Sequence, residues 1–478
     1  MINVNLTWLK KTLELDHENI INLTSELSQT DITGVSTDSR TIDKGQVFVA
    51  LKGPNFDGNK FVEQVQEKGA IAVVVDQKLA IDIPQFIVPD TLKAYGKIAA
   101  QVAKESNLKT IAITGSVGKT SVKEMSFAIL SRKGKVLATE GNFNNEIGVP
   151  HTLMRFSPDY DYAVVELGAN HIGEIAYTTE LVKPDVAILN NVGEAHLEGF
   201  GDIFGVVRAK GEIFNGLSDK GIAIVNGLSE YKQSWITRLN EKFTHPEHNI
   251  IQFYAEDKGC ADSDIVAKEI VLDELGCAQF NLHYKNEKVG IHLPIPGIHN
   301  VANALAAAAG CLAIGVTMDD VKLGLASMPA VKGRVNLQPV NDQLLVIDDT
   351  YNANVRSVNA ASDLLSNYQG MNILVLGDMA ELGSEGRRYH QDVGEYALAQ
   401  NITNLFSVGV LSQCASSVFA ERGQHFSQNE DAIGKLKELI DNTNNKVNVL
   451  VKGSRSAKME QVVDALVTHY QNKKNNKG

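Results

Sequence analysis

Cysteine is scarce: four among 478 residues, at 260, 277, 311 and 414. They lie too far apart for a C-x-x-C metal pair and are too few for a disulfide framework, so they read as buried free thiols in a reducing compartment. Proline is also rare, with 11 residues, and the composition of 44% apolar and 21% charged residues describes a chain that folds throughout. No Lys/Arg run is longer than that at Lys473-Lys474, and the net charge is −12. The basic footprint of a nucleic-acid binder is therefore missing. No apolar run reaches the roughly 20 residues of a bilayer span; the longest, Ala304 to Val316, is Ala-rich and reads as a buried helix. The first residues, Met1-Ile2-Asn3-Val4-Asn5, carry no basic-then-apolar leader, and the expected location is the cytoplasm.

At roughly 100–200 residues per domain the length argues for about three domains. From residue 109 short apolar runs (110–114, 162–166, 186–190, 222–225) alternate with helical patterns, the signature of parallel strands covered on both faces. A second series (344–348, 373–377, 405–409, 449–453) has the same βα spacing. Residues 1–88 read as a smaller α/β unit, with strands at 33–38, 47–52 and 70–76 and a helix at 61–68. The expected fold is α/β in three domains: 1–88; a central P-loop-type doubly wound domain, 89–331, with antiparallel strands appended over 265–293; and a Rossmann-like domain, 332–478. The polar tail from Asn472 is expected to be mobile.

The run 110–114 leads into Gly115-Ser116-Val117-Gly118-Lys119-Thr120-Ser121, with a helical pattern behind it. Glycines let backbone N–H groups converge on phosphate oxygens at a helix N-terminus. Lys119 would reach the terminal phosphates, and the Thr120 hydroxyl would ligate Mg²⁺. Ile113 occupies the place of the first glycine of the strict G-x-x-x-x-G-K-[ST] pattern.

In an open α/β sheet ligands bind beyond the carboxyl ends of strands, which brings Glu166 and His196 to the same crevice as possible metal ligands. The alternative is a Glu166 paired with a surface lysine and a His196 that caps a loop. Lys210 falls on the apolar stripe of Ile203 to Leu217. A lysine in a core must be paired or neutral, and a neutral amine can take up carbon dioxide to become an anionic carbamate ligand. It could instead snorkel or meet Glu212 or Glu166. Asn300 and Asn303 lie one helical turn apart and carry the donor and acceptor that an adenine edge requires, although asparagine is also an ordinary cap. Arg334 and Asp349 suit a phosphate clamp and a ribose acceptor as two domains close, or else surface ion pairs.

The segment 114–120, Glu166, Asn191-Val192-Gly193-Glu194-Ala195-His196-Leu197-Glu198, Lys210 and Gly297-x-His299-Asn300-x-x-Asn303 together resemble the Mur ligase superfamily, whose loop shares the isoleucine departure. Four further stretches, 36–40, 141–150, 376–383 and 452–456, resemble the D-alanyl-D-alanine-adding branch, and the likeness spans nearly the whole chain.

That resemblance implies an ATP-dependent amide ligase, monomeric, that joins D-Ala-D-Ala to UDP-N-acetylmuramoyl-tripeptide through an acyl phosphate. It implies that Gly115 to Ser121 hold ATP phosphates, that Thr120, Glu166, His196 and a carbamylated Lys210 organise Mg²⁺, and that Lys119, Lys210, His196 and Arg334 serve the chemistry. Asn300 and Asn303 would meet adenine, Asp349 ribose and Arg334 the γ-phosphate. Ser39 and Arg40 would take the uridine diphosphate end of the substrate, Asn144 and Asn145 its sugar-peptide part. Asn352, Asn354, Lys452, Ser454 and Arg455 would face the dipeptide. The family has Pro-Asp where this chain has Val355-Arg356, which leaves helix entry and any dipeptide contact there open. The alternatives are another Mur-type or folylpolyglutamate-type ligase, and a non-enzymatic nucleotide switch. Whether the tripeptide ends in meso-diaminopimelate or lysine is not written in these motifs.

Overall fold

The computed structural model describes residues 2–53, 56–193, 197–256, 264–329 and 331–475. Three sheets carry the architecture, which is the three-domain α/β fold expected. The central one has nine strands in the order 136–138, 162–166, 109–114, 186–189, 222–226, 250–254, 265–272, 277–284, 287–296. The first seven run parallel and the last two antiparallel, with Ile265 opposite Tyr284 and Phe280 opposite Ile291. Period-two alternation divides its apolar residues between two cores. Ile111, Ile113, Val164, Ile188 and Ile224 pack beneath the helices Lys119–Leu130 and His299–Ala313. Ala112, Val165, Leu189 and Val225 face the other side.

That second core does not stop at the central sheet. It runs on into Val47, Val49, Ala72 and Val74 of the N-terminal sheet, whose order is 20–21, 85–87, 72–75, 46–49, 34–36. The helix Thr91–Ser106, begun by Asp90 accepting from the Lys93 amide, lies between them, against Leu6–Leu13 on one side and Gly148–Leu153 and Glu174–Val182 on the other. The third sheet, in the order 336–339, 344–349, 447–452, 371–377, 404–408, 423–426, is parallel except for its first strand and has a core on each face.

Several local expectations are corrected. The apolar stripe of Ile203 to Leu217 is not one helix: the helix through Lys210 is Ile203–Gly211 and gives way to a 3₁₀ segment Glu212–Gly216. The close approach of Trp235 explains the change, because its indole packs onto Gly211 and donates to the Val207 carbonyl at 3.1 Å. The last helix, Glu460–Asn475, runs into the polar tail and is anchored to the third sheet's core by Val462, Val463, Leu466 and Tyr470, all ahead of Asn472. Cys277 and Cys311 are buried, Cys414 is half-buried, and Cys260 lies outside the described residues. Among the described residues no helix is long and apolar enough to cross a membrane.

Candidate active site

The phosphate-type loop leaves a central position in the sheet. Its strand, Lys109–Thr114, has 162–166 on one side and 186–189 on the other, in registers that set Ile113 beside Glu166 and Thr114 beside Leu189. Residues just past the ends of both neighbours therefore flank the loop. On one flank the Thr120 hydroxyl donates to Glu166 Oε2 at 3.0 Å and Asn144 Nδ2 to Glu166 Oε1 at 2.9 Å, while the Glu166 amide donates to Thr139 Oγ1 at 3.0 Å. On the other flank Asn191 holds both polar groups of Val117, accepting from its N–H at 3.0 Å and donating to its carbonyl at 2.9 Å. Asn190 Nδ2 adds a bond to the same carbonyl at 3.1 Å, and Ser116 Oγ donates to the Gly193 carbonyl at 3.0 Å.

Gly118 has φ of +79°, and a Cβ there would collide with the amides of Asn303 and Asn190. Glycine is thus required both by conformation and by the closeness of the helix behind the loop. That helix contributes a chain of buried amides. Asn190 Nδ2 donates to Asn303 Oδ1 at 2.8 Å, Asn303 Nδ2 to Asn300 Oδ1 at 2.9 Å, and Asn300 Nδ2 to the Pro296 carbonyl at 2.8 Å.

Lys119 Nζ donates to the Gly115 carbonyl at 2.9 Å. Burial lowers its pKa; Glu166 opposes the shift and Arg334 adds to it. Lys210 is 1% exposed, and its ammonium lies 5.4 Å from the centre of the Phe200 ring. Burial, with Lys119 adding to it, pushes its pKa down to about 7 against the opposing pull of Glu174, Glu166 and Glu212. Among the described residues it makes no ion pair. Pairing with Glu212 is corrected: that carboxylate accepts from the amides of Gly173, at 2.8 Å, and Ala176, at 3.0 Å, at the start of the helix Glu174–Val182.

The C-terminal domain reaches this loop with two arginines. Arg334 Nη2 donates to Thr120 Oγ1 at 3.1 Å, its guanidinium stacked 4.0 Å over the Tyr351 ring, with Nε buried and unbonded among the described residues. Arg356 Nη1 donates to the Val192 carbonyl at 3.1 Å. Between the two domains lies a cavity of about 370 Å³ lined by Ser116 and Lys119 on one wall. Its other wall comprises Asn352 to Asn354, Ala380 to Leu382 and Ser454 to Ser456.

The comparisons with known proteins bear on this arrangement. Three family models match: the Mur ligase family catalytic domain over residues 31–119, the Mur ligase middle domain over 113–311, and the Mur ligase glutamate ligase domain over 333–455. The chain is 46% identical over 446 residues to UDP-N-acetylmuramoyl-tripeptide–D-alanyl-D-alanine ligase of Escherichia coli, covering 93% of this chain and 96% of that protein. The chain belongs to the Mur ligase family. A crystal structure of MurF from Acinetobacter baumannii superimposes with a TM-score of 0.90 at 35% identity, over 98% of this chain and 99% of that one. MurF of Thermotoga maritima in complex with ADP gives 0.80 at 26% identity, over 92% and 98%.

Within this Mur ligase the expected residues fall into distinct groups. Ser116, Lys119, Asn352, Asn354, Ser454 and Arg455 share the cavity. Thr120, Glu166, Asn144 and Arg334 form one hydrogen-bonded chain. Asp349 is held by Lys452, Nζ to Oδ2 at 2.5 Å, in a buried pair. Asn354 caps the helix Val355–Ser366 by accepting from the Ser357 amide, so helix entry survives the Val355-Arg356 departure. Asn145 closes a local turn, accepting from the Gly148 amide at 2.9 Å. Ser39 and Arg40 lie apart on the N-terminal domain, where Arg40 pairs with Asp38 and holds that carboxyl down at about 2. His196 falls outside the described residues. Sequence reasoning missed Asn190 and Asp378. The latter's carboxylate accepts from the amides of Val410, Leu411 and Ser412, and its carbonyl takes the Ser454 amide and hydroxyl. The signal for Asn190 was its place directly after an apolar strand, which acquires meaning only once that strand is known to adjoin the loop's own.

Proposed function

We propose that this chain is the ATP-dependent ligase that joins D-Ala-D-Ala to UDP-N-acetylmuramoyl-tripeptide, as a cytoplasmic monomer in peptidoglycan precursor synthesis. The observation that carries this reading is the shared cavity, in which Ser116 and Lys119 face Asn352, Asn354, Ser454 and Arg455. A phosphate-activating wall thus opposes one rich in amide and hydroxyl groups, as the joining of an acyl phosphate to an amine requires. A carboxylate oxygen of the tripeptide attacks the γ-phosphorus, the bond to ADP breaks, and an acyl phosphate forms. The dipeptide amine then attacks the acyl carbon, forming the C–N bond and losing a proton, and inorganic phosphate leaves with the electron pair as the acyl C–O bond breaks. Such chemistry needs positioning and charge neutralisation rather than a protein nucleophile.

Lys119 and Arg334 supply positive charge at the loop, and its N–H groups supply donors. Thr120 Oγ1 and Glu166 Oε2, 3.0 Å apart, are the hard oxygen donors that suit Mg²⁺, which would neutralise phosphate charge when bound there; His196 completes the proposed set. Lys210 is proposed as the carbamate: its neutral amine nitrogen bonds to the carbon of CO₂, one proton leaves, and the product is an anion. Its burial and its pKa of about 7 favour the neutral amine that this step needs. Asn300 and Asn303 are proposed near adenine, Asp349 near ribose, and Ser39 and Arg40 at the uridine diphosphate end, with Asn144 and Asn145 on the sugar-peptide part.

The test is ADP release coupled to mass spectrometry of products, with ATP, Mg²⁺, D-Ala-D-Ala and UDP-N-acetylmuramoyl-tripeptide ending in either meso-diaminopimelate or lysine. A pentapeptide that requires every component is the expected result. ADP release with a different acceptor alone would move the chain to another branch of the family. ATP binding without any product would favour a nucleotide switch.

A further inference from the structure

The helix Val355–Ser366 has no acidic residue in its first turn, and its second residue is Arg356. A cation there opposes the helix dipole, whose N-terminal end is positive. A residue that violates a local preference in an otherwise well-capped helix points to a role elsewhere. Arg356 leaves the helix and donates to the Val192 carbonyl at 3.1 Å. Its stem passes beside Gly193, where a Cβ would sit 3.5 Å from Arg356 Cδ. Gly193 is bonded on both its N–H and its carbonyl to Ser116 Oγ, each at 3.0 Å. The residues that precede Arg356, Asn352 to Asn354, line the cavity opposite Ser116 and Lys119.

From this geometry we propose that Arg356 is a positioning residue, fastening the C-terminal wall of the cavity to the loop 192–193 that backs the phosphate loop. Breaking the bond frees the dipeptide-side loop to drift from the phosphate side, while Asn190, Asn191 and Ser116 still brace the nucleotide side. The consequence falls on the meeting of amine and acyl phosphate rather than on ATP binding. This inference rests on the function proposed above.

The experiment compares the full chain with Arg356→Ala and Arg356→Lys. Loss of the charged donor's bond to Val192 predicts that Arg356→Ala lowers kcat by about tenfold or more and leaves KM for ATP within about twofold. Arg356→Lys recovers part of the rate, because an ammonium keeps the charge and can donate to the Val192 carbonyl. Small-angle scattering with ADP and Mg²⁺ gives a larger radius of gyration for Arg356→Ala. Its melting temperature changes little, since removal of a cation from a helix N-terminus offsets part of the lost hydrogen bond. An unchanged kcat and radius of gyration would overturn the proposal; so would a loss of rate accompanied by a lower melting temperature and no recovery with lysine. If the unaltered chain makes no pentapeptide, the functional reading fails, while the scattering comparison still decides whether Arg356 fastens the domains.

Discussion

Behind the central-domain wall of the cavity, between Ser116 and Lys119, Val117 is held by three side-chain hydrogen bonds with Asn190 and Asn191. On the C-terminal wall, Asn352 is exposed and Arg455 has 70% of its side chain in solvent, paired among the described residues with Glu460 at 3.1 Å. The first wall is built from residues of one sheet, whose register fixes them before any ligand arrives. The second is joined to the first by contacts such as those of Arg334 and Arg356. The difference is one of preorganisation: side chains from within one domain brace the phosphate-loop side, whereas the relation of the second wall to the first depends on contacts between domains.

The largest effects belong to the preorganised wall. Lys119→Ala removes a half-buried cation from the proposed phosphate site, and the rate of acyl-phosphate formation, read as ADP release, should fall by about 10²–10³-fold. An unchanged rate would remove Lys119 from the phosphate site.

Lys210→Met separates chemistry from stability. Activity should be lost, while unfolding in denaturant should show a fold stabilised by about 1–3 kcal/mol, because an apolar chain replaces a buried amine that makes no ion pair among the described residues. The pH dependence has a definite sign. Lys210 has its pKa lowered from 10.5 to about 7, so the unfolded chain binds the extra proton between those values. The destabilisation from this group is full below about pH 7 and is relieved as the pH rises toward 10.5. The same shift makes the neutral amine predominate above about pH 7, and activity supported by bicarbonate should rise through that point. A variant that retains full activity would sink the carbamate assignment, and an unaltered stability slope would show that the amine is not desolvated.

These two residues also mark what the sequence made legible. The phosphate loop could be read because all its working parts are consecutive, and Lys210 because a helical stripe reports burial by spacing alone. The end of its helix at Gly211 could not, since Trp235, 24 positions away, supplies the packing that ends it. Asn190 was opaque for a similar reason: its bond to the Val117 carbonyl depends on strand order, which no local pattern encodes. The edge strands Asn336–Pro339 and Gly423–Phe426 escaped because they are short and only partly buried, without the apolar run that betrayed their neighbours. Glu212 looked like a partner for Lys210 by proximity in sequence, but the nearby helix end at Gly173 offered it two amides.

Asn191→Ala tests whether the bracing of the loop matters. It leaves both polar groups of Val117 without their shared partner, at a cost of about 1–3 kcal/mol. The expected signature is a raised KM for ATP, by about tenfold, with the fold retained. A KM that does not move would show that the loop holds its shape from its glycines and helix alone.

The smallest effect lies on the other wall and decides between two jobs for one side chain. Asn354 faces the cavity and also caps its helix, accepting from the Ser357 amide at 2.9 Å. Asn354→Ala should cost about 1 kcal/mol in unfolding free energy as the cap is lost. Serine caps a helix about as well as asparagine but has no amide donor. Asn354→Ser should therefore restore stability, and its KM for D-Ala-D-Ala then isolates the contribution of the amide. A raised KM in both variants assigns Asn354 to the dipeptide, whereas a KM that recovers together with stability assigns it to the helix alone.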